Sequence, residues 1–170
     1  MEEQLEDARD GVNTAVEGVL LAGGLGAVLK KERIKLPEPV NVLFLGAGSA
    51  KAELAYITTL GIDLGRVTLV DRYDESKQAK LQQAGFGAVV DGDLFNFMRT
   101  TTDRFSLITG LGIEYVVEAH PKEFFDCLQG VVKPEGVVYL SAPPYVEESY
   151  WEDQGFREIG EQARLILVKD

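Results

Sequence analysis

The sequence predicts one α/β domain on a mostly parallel, seven-stranded sheet, and three observations predict it. Short, nearly continuous apolar runs alternate with segments of helix length, the pattern of strands covered on both faces. A glycine pair, Gly46-Ala47-Gly48, closes the first run and opens an alanine-rich amphipathic stretch. The last two runs are separated only by Gly160 to Ala163, too little chain for a crossover helix, so they pair antiparallel.

Residues 2–31 read as a helix. Leu5, Ala8, Val12, Ala15, Val16, Val19 and Leu20 recur near the 3.6 period, with acids in the first turns and Lys30 and Lys31 at the far end. Gly23, Gly24 and Gly26 predict either a break or a close packing contact in its middle. Pro37 and Pro39 mark a boundary, dividing residues 1–39, a helix and linker, from the domain proper at 40–170. Strands are expected at 40–45, 66–70, 86–90, 105–109, 137–141, 156–159 and 164–168. Helices fall at 50–60, 75–84, 94–99 and 115–128, the last interrupted near Pro121, and Lys133-Pro134-Glu135-Gly136 reads as a turn before the fifth strand.

Composition narrows the function classes. The chain has 170 residues, 45% of them apolar, and a net charge of −11, which removes the broad basic face that a phosphate backbone requires. One cysteine, Cys127, forms no internal disulfide, and one cysteine with one histidine makes no Cys/His zinc site, so no metal is expected. The acidic N-terminus is unlike a signal peptide, and the apolar run 18–29 is shorter than the roughly 20 residues that span a bilayer. The expectation is a cytoplasmic protein without a membrane partner.

Three candidate positions lie at the carboxyl ends of strands, the edge where open parallel sheets bind ligands. Gly46 and Gly48 allow close backbone approach ahead of a helix N-terminus. Asp71 ends the second strand, where a carboxylate can accept both hydroxyls of a ribose. Asp93 follows the third strand.

The segments VLFLGAGSA, VTLVDRYD, VVDGDLFNF, FSLITG, VVKPEGVVYL and GFREIGEQARLILVKD together resemble the ordered signatures of class I S-adenosylmethionine-dependent methyltransferases. The resemblance spans about residues 41–170. It implies a Rossmann-like three-layer sandwich with strand order 3-2-1-4-5-7-6, the last strand antiparallel, preceded by the extra N-terminal helix. It also implies S-adenosylmethionine as cofactor and methyl transfer to a small or neutral substrate. By position, Gly46, Ala47 and Gly48 would lie beside the methionine part. Asp71 would take the ribose hydroxyls with Arg72 adjacent, and Gly92, Asp93 and Leu94 would hold the adenine edge. Thr109, Gly110 and Leu111 would flank the sulfonium.

The chain departs from that pattern at Phe44, where the family usually carries an acid, and at Ala50, where a third glycine is common. Lys51 is a candidate partner for the cofactor's carboxylate, with a solvated lysine as the plainer reading. Glu114, Tyr115 and His120 are the candidate catalytic or orienting groups, against a helix start and a surface histidine as the structural alternatives. Tyr145, Tyr150 and Trp151 either line a substrate mouth or pack on the sheet, and Cys127 reads as core packing.

Three rival readings stand beside methyl transfer. One is an inactive module that binds the cofactor or a protein partner. Another is a different alkyl transferase using the same cofactor. The third is an NAD-binding protein, against which Lys51 occupies the third position of G-x-G-x-x-G. The glycine-rich face of the first helix is a candidate contact for a second copy or a partner subunit.

Overall fold

The computed structural model describes residues 2–141, 144–160 and 164–170, with side chains from residue 14 onward. Helix α1 (Glu2–Lys31) precedes β1 (Val42–Leu45), α2 (Lys51–Leu60), β2 (Val67–Asp71), α3 (Glu75–Gln83) and β3 (Ala88–Asp91). Then follow α4 (Leu94–Thr100), β4 (Phe105–Gly110), α5 (Glu114–Ala119), α6 (Pro121–Val131) and β5 (Val132–Leu140). Helix α7 (Ser149–Glu152), β6 (Phe156–Glu158) and β7 (Leu165–Lys169) complete the chain.

The sheet order is β3-β2-β1-β4-β5-β7-β6, as the sequence predicts. Every pairing from β3 to β5 is parallel, and β7 runs antiparallel to both its neighbours. Strand alternation feeds two cores. Val42 and Phe44 point to the face that holds Tyr56, Ile57 and Leu25, whereas Leu43 and Leu45 point to the face that holds Phe95, Phe124 and Leu128. All four β1 residues are buried, because both faces are covered.

Tertiary contacts decide or adjust four expectations. The first helix runs unbroken through Gly23, Gly24 and Gly26; of these Gly24 makes the close contact, where a Cβ would meet the Arg164 guanidinium, and Gly23 faces open space. A Cβ at Gly18 would lie 2.2 Å from the Ala52 carbonyl oxygen, so α1 and α2 approach as closely as backbones can. The interruption expected near Pro121 is present: the stretch is two helices parted at His120, whose φ is −139°, and Pro121 opens the second, where its missing N–H is no loss. The Lys-Pro-Glu-Gly turn lies inside β5. Val132 already pairs with Phe105, and the register then shifts, with Glu135 left-handed at φ 59°, which makes the segment a bulge. Trp151 is buried against Phe125 at 5.7 Å, so it packs and does not line a mouth. Of the terminal hairpin connection, residues 161–163 lie outside the described residues, as do Ala142 and Pro143.

The linker is fastened to the sheet by Ser106, a fully buried β4 residue whose hydroxyl lies 2.6 Å from the Pro37 carbonyl and 3.0 Å from that of Pro39. Lys133 also donates to Pro39. On α1, Ala22 and Leu25 are buried while Val16, Val19 and Leu20 remain exposed. No helix among the described residues is long and apolar enough to cross a membrane.

The α1–α2 contact gives a paired prediction. Gly18→Ala forces two backbones apart and should destabilise by about 1–3 kcal/mol, the cost of overpacking. At Gly23 an added Cβ meets nothing within 4 Å, so Gly23→Ala should stabilise by about 0.5–1 kcal/mol through helix propensity. Urea unfolding of the two variants beside wild type measures both, and equal effects would remove the close contact from the account.

Candidate functional site

The site forms where β1, β2 and β3 end. Beyond Leu45 the chain turns through left-handed backbone at Gly46 (φ 71°), Gly48 (φ 53°) and Ala50 (φ 58°) before α2 starts. Gly46 N–H still donates to the Val70 carbonyl at 2.8 Å, the last bond of the β1–β2 ladder. Past that point Asp71 takes over. Its Oδ2 accepts from Gly48 N–H at 2.6 Å and its Oδ1 accepts from Arg72 N–H at 2.6 Å. Both oxygens keep unused lone pairs, since a carboxylate has about four acceptor positions.

The neighbouring strand end is organised likewise. Gly92 N–H donates to the Asp71 carbonyl at 2.9 Å, and Asp91 accepts from Tyr73 N–H at 2.9 Å. Asp93 caps α4 by accepting from Asn96 N–H at 3.0 Å. These elements enclose a cleft of about 290 Å³. Gly46, Asp71, Arg72, Gly92, Asp93 and Leu94 line it, with Val70 and Phe95 as apolar wall. The mouth carries Tyr115, which is 72% exposed.

Ile113 closes the end of the cleft that adjoins β4. Only 3% exposed, it occupies the space between two strand ends: a Cβ at Gly46 would meet its Cγ2 at 2.6 Å, and one at Gly110 its Cδ1 at 2.4 Å. The loop after β4 is held to β5 through Ser141, whose hydroxyl donates to Glu114 Oε1 at 2.7 Å and accepts from Gly112 N–H at 3.0 Å.

No family model matches the chain, and no curated protein matches it by sequence. Solved structures do match by shape. An S-adenosylmethionine-dependent methyltransferase from Clostridium acetobutylicum superposes with a TM-score of 0.64 at 12% identity, over 88% of this chain and 90% of that one. A methyltransferase from Pyrococcus furiosus gives 0.58 at 17% identity, over 87% and 82%. The glycopeptide N-methyltransferase MtfA gives 0.60 at 15% identity, over 89% of each chain. This is the class I methyltransferase fold.

Within the methyltransferase fold, the sequence-expected residues divide by place. Gly46, Asp71, Arg72, Gly92, Asp93 and Leu94 share the cleft, and Tyr115 stands at its rim. Ala47 is buried beneath the loop, and Gly48 is engaged by Asp71. Thr109 is fully buried, in register with Phe44 and Tyr139 across the sheet, so only its backbone reaches the edge. Gly110 is buried against Ile113, and Leu111 packs on the α1 side. Glu114 turns toward Ser141. His120 is exposed, meets the edge of Phe95 at 5.8 Å between ring centres, and does not line the cleft. Lys51 is exposed at the α2 start and also stays outside the cleft lining.

The residues present fit an adenosine group and fit a methionine tail poorly. Free lone pairs on Asp71 suit ribose hydroxyls, and Leu94 with Phe95 suits an adenine face. The adjoining space is filled by Ile113, and Phe44, packed edge-on against Tyr56 at 5.7 Å, brings no charge there.

Two other hollows differ in character. One of about 560 Å³ lies outside α5, lined by Glu118, Pro121, Pro144, Tyr145 and Tyr150 among others, with Glu118 accepting from Tyr145 N–H at 3.0 Å. A hollow of about 700 Å³ between α4 and α6 is larger but far from the strand ends, and its walls include the ion pairs Arg99–Glu123 and Lys122–Asp126. Cys127 borders it, packs on the second core, and has its thiol pushed up by burial. Among the described residues no group of three or more His, Cys, Asp or Glu side chains could hold a metal ion.

Ile113 and Glu53 were not singled out by the sequence. Glu53, on α2 one turn behind the glycine loop, is only 4% exposed. Burial raises its carboxyl to about 7, with the charges of Asp71 and Glu17 adding to the rise and Lys77 opposing it. An acid in the first helical turn is an ordinary choice at a helix start, so the signals that distinguish Glu53 are its phase with Tyr56 and Ile57 and the packing of α1 over α2.

Because the folded state holds this proton more tightly than the unfolded chain, its contribution to stability is full below the ordinary value of 4.5 and is lost as pH rises through about 7. Glu53→Gln should flatten the fall in Tm between about pH 5 and pH 8, and raise Tm at pH 8 by roughly 2–6 °C. A variant whose pH profile parallels wild type would mean that Glu53 ionises freely in the folded protein.

Proposed function

We propose that the chain is an S-adenosylmethionine-dependent methyltransferase acting on a small or neutral acceptor. One observation supports the reading: Asp71, Asp93 and Leu94 line a single cleft at the carboxyl ends of β1, β2 and β3, and we read that cleft as the nucleoside site. Asp71 is pre-positioned by Gly48 and Arg72 to accept from vicinal hydroxyls. When bound, the cofactor supplies an electrophilic sulfonium methyl group. The chain's own part is alignment and exclusion of water, which suffice for much of the acceleration of an in-line displacement. Ser141 holds Glu114 at the acceptor side of the edge, and Tyr115 overhangs the cleft mouth. These two are the orienting groups in this reading; His120, turned onto Phe95, is a weaker candidate.

The acceptor side is acidic. Glu118 and Glu147 border the outer hollow, and the net charge of −11 disfavours a polyanionic substrate such as tRNA or DNA. A second reading, a binding module without turnover, is favoured by Ile113 and Phe44, which leave the methionine end without a polar partner.

Calorimetric titration with S-adenosylmethionine, S-adenosylhomocysteine and NAD separates the readings. The first two should bind and NAD should not; NAD binding alone would contradict the proposal. Binding without turnover on amine, hydroxyl and carboxyl acceptor pools would favour the module. Asp71→Ala should weaken binding about ten- to a hundredfold, the loss of charge-assisted hydrogen bonds worth about 1.5–3 kcal/mol. Unchanged affinity would remove Asp71 from the site.

A further inference from the structure

We infer that the cleft reads its ligand through the adenosine half alone, and that Ile113 is the specificity-determining residue that leaves the 5′ substituent unread. The inference rests on the adenosine reading above and concerns which part of the ligand contributes affinity.

Three observations support it. The cleft measures about 290 Å³, at the lower limit of about 300 Å³ for pockets that take drug-sized ligands. Its charged groups, Asp71, Arg72 and Asp93, all belong to the β2 and β3 ends, where this reading puts the nucleoside, and the one polar side chain from beyond β4, Tyr115, stands at the exposed mouth. At the β1 and β4 ends the wall is hydrocarbon: Ile113 fills the gap between Gly46 and Gly110, and Phe44 of β1 is turned to the opposite face of the sheet, against Tyr56. A zwitterionic tail entering that gap would have to displace a buried side chain. It would also give up hydration for no charged partner, which is unfavourable on both counts. The tail therefore remains in water at the mouth, where it adds little to binding. A ligand with a short apolar 5′ substituent loses nothing by lacking it.

The same geometry explains why two glycines flank Ile113. Any side chain at Gly46 or Gly110 would collide with its methyl groups, so the three positions form one packed unit that seals the end of the cleft. Shortening Ile113 opens the seal and exposes the left-handed Gly46–Gly48 backbone to a carboxylate.

Calorimetry on the full chain with adenosine, 5′-methylthioadenosine and S-adenosylhomocysteine tests this. For wild type, 5′-methylthioadenosine and S-adenosylhomocysteine should have dissociation constants within about threefold. Ile113→Ala should tighten S-adenosylhomocysteine at least tenfold relative to 5′-methylthioadenosine. Ile113→Val, which removes only Cδ1 and keeps the branched stem, should shift the ratio the same way by a smaller factor, and serves if the alanine variant does not fold. Wild type binding S-adenosylhomocysteine tenfold or more tighter than 5′-methylthioadenosine would overturn the inference while leaving the adenosine reading intact. An unchanged ratio in folded Ile113 variants would overturn the role of Ile113. If none of the three ligands binds, the adenosine reading itself fails, and the inference with it.

Discussion

The Asp71 carboxylate joins two strand ends at the point where the backbone ladder between them stops. Parallel register sets Leu45 opposite Val70, so the residues that follow, Gly46 to Ala50 on one strand and Asp71 on the other, have no further ladder to share. Asp71 supplies the missing acceptor to Gly48 and to its own neighbour Arg72. The loop it fastens contains a strained position, because Ala50 adopts left-handed backbone that costs an L-residue about 1–2 kcal/mol. Two charge-assisted hydrogen bonds, each worth about 1.5–3 kcal/mol, are enough to offset that strain. The tie fixes the glycine loop that lines the cleft and leads into α2.

Much of the fold is legible in the sequence because a buried parallel sheet leaves a strong signature. Seven apolar runs, the short closing connection and the ordered motifs lead to the observed strand order. The positions of Asp71, Asp93 and the glycine pair at the carboxyl edge of the sheet are also legible, since strand ends are readable. Boundaries are less so. The Lys-Pro-Glu-Gly segment has the chemistry of a turn, yet pairing with β4 draws it into a bulged strand. The interruption expected near Pro121 is present, and what the pattern leaves open is only that Pro121 itself begins the second helix.

The missing parts of the site share a physical reason. Ile113 is an apolar residue in a glycine-rich loop, and nothing local distinguishes it from a residue that packs elsewhere. Its role exists only once β1 and β4 are paired and Gly46 and Gly110 stand side by side. Glu53 shares a face of α2 with Tyr56 and Ile57, a phase that points inward, and α1 covers it through the Gly18–Ala52 approach rather than through any charge pattern. Thr109 shows the converse. It lies within β4 rather than beyond it, and the register with Phe44 and Tyr139 buries its side chain in the core.

The account as a whole depends on where the nucleoside lies relative to Asp71. A crystal structure of the chain grown with S-adenosylhomocysteine measures this directly. The account predicts ribose hydroxyls at about 3 Å from the Asp71 carboxylate, with Gly48 N–H still bonded to it and the adenine against Leu94. A ligand seated elsewhere, as in the larger hollow between α4 and α6, with Asp71 making only its loop contacts, would contradict it.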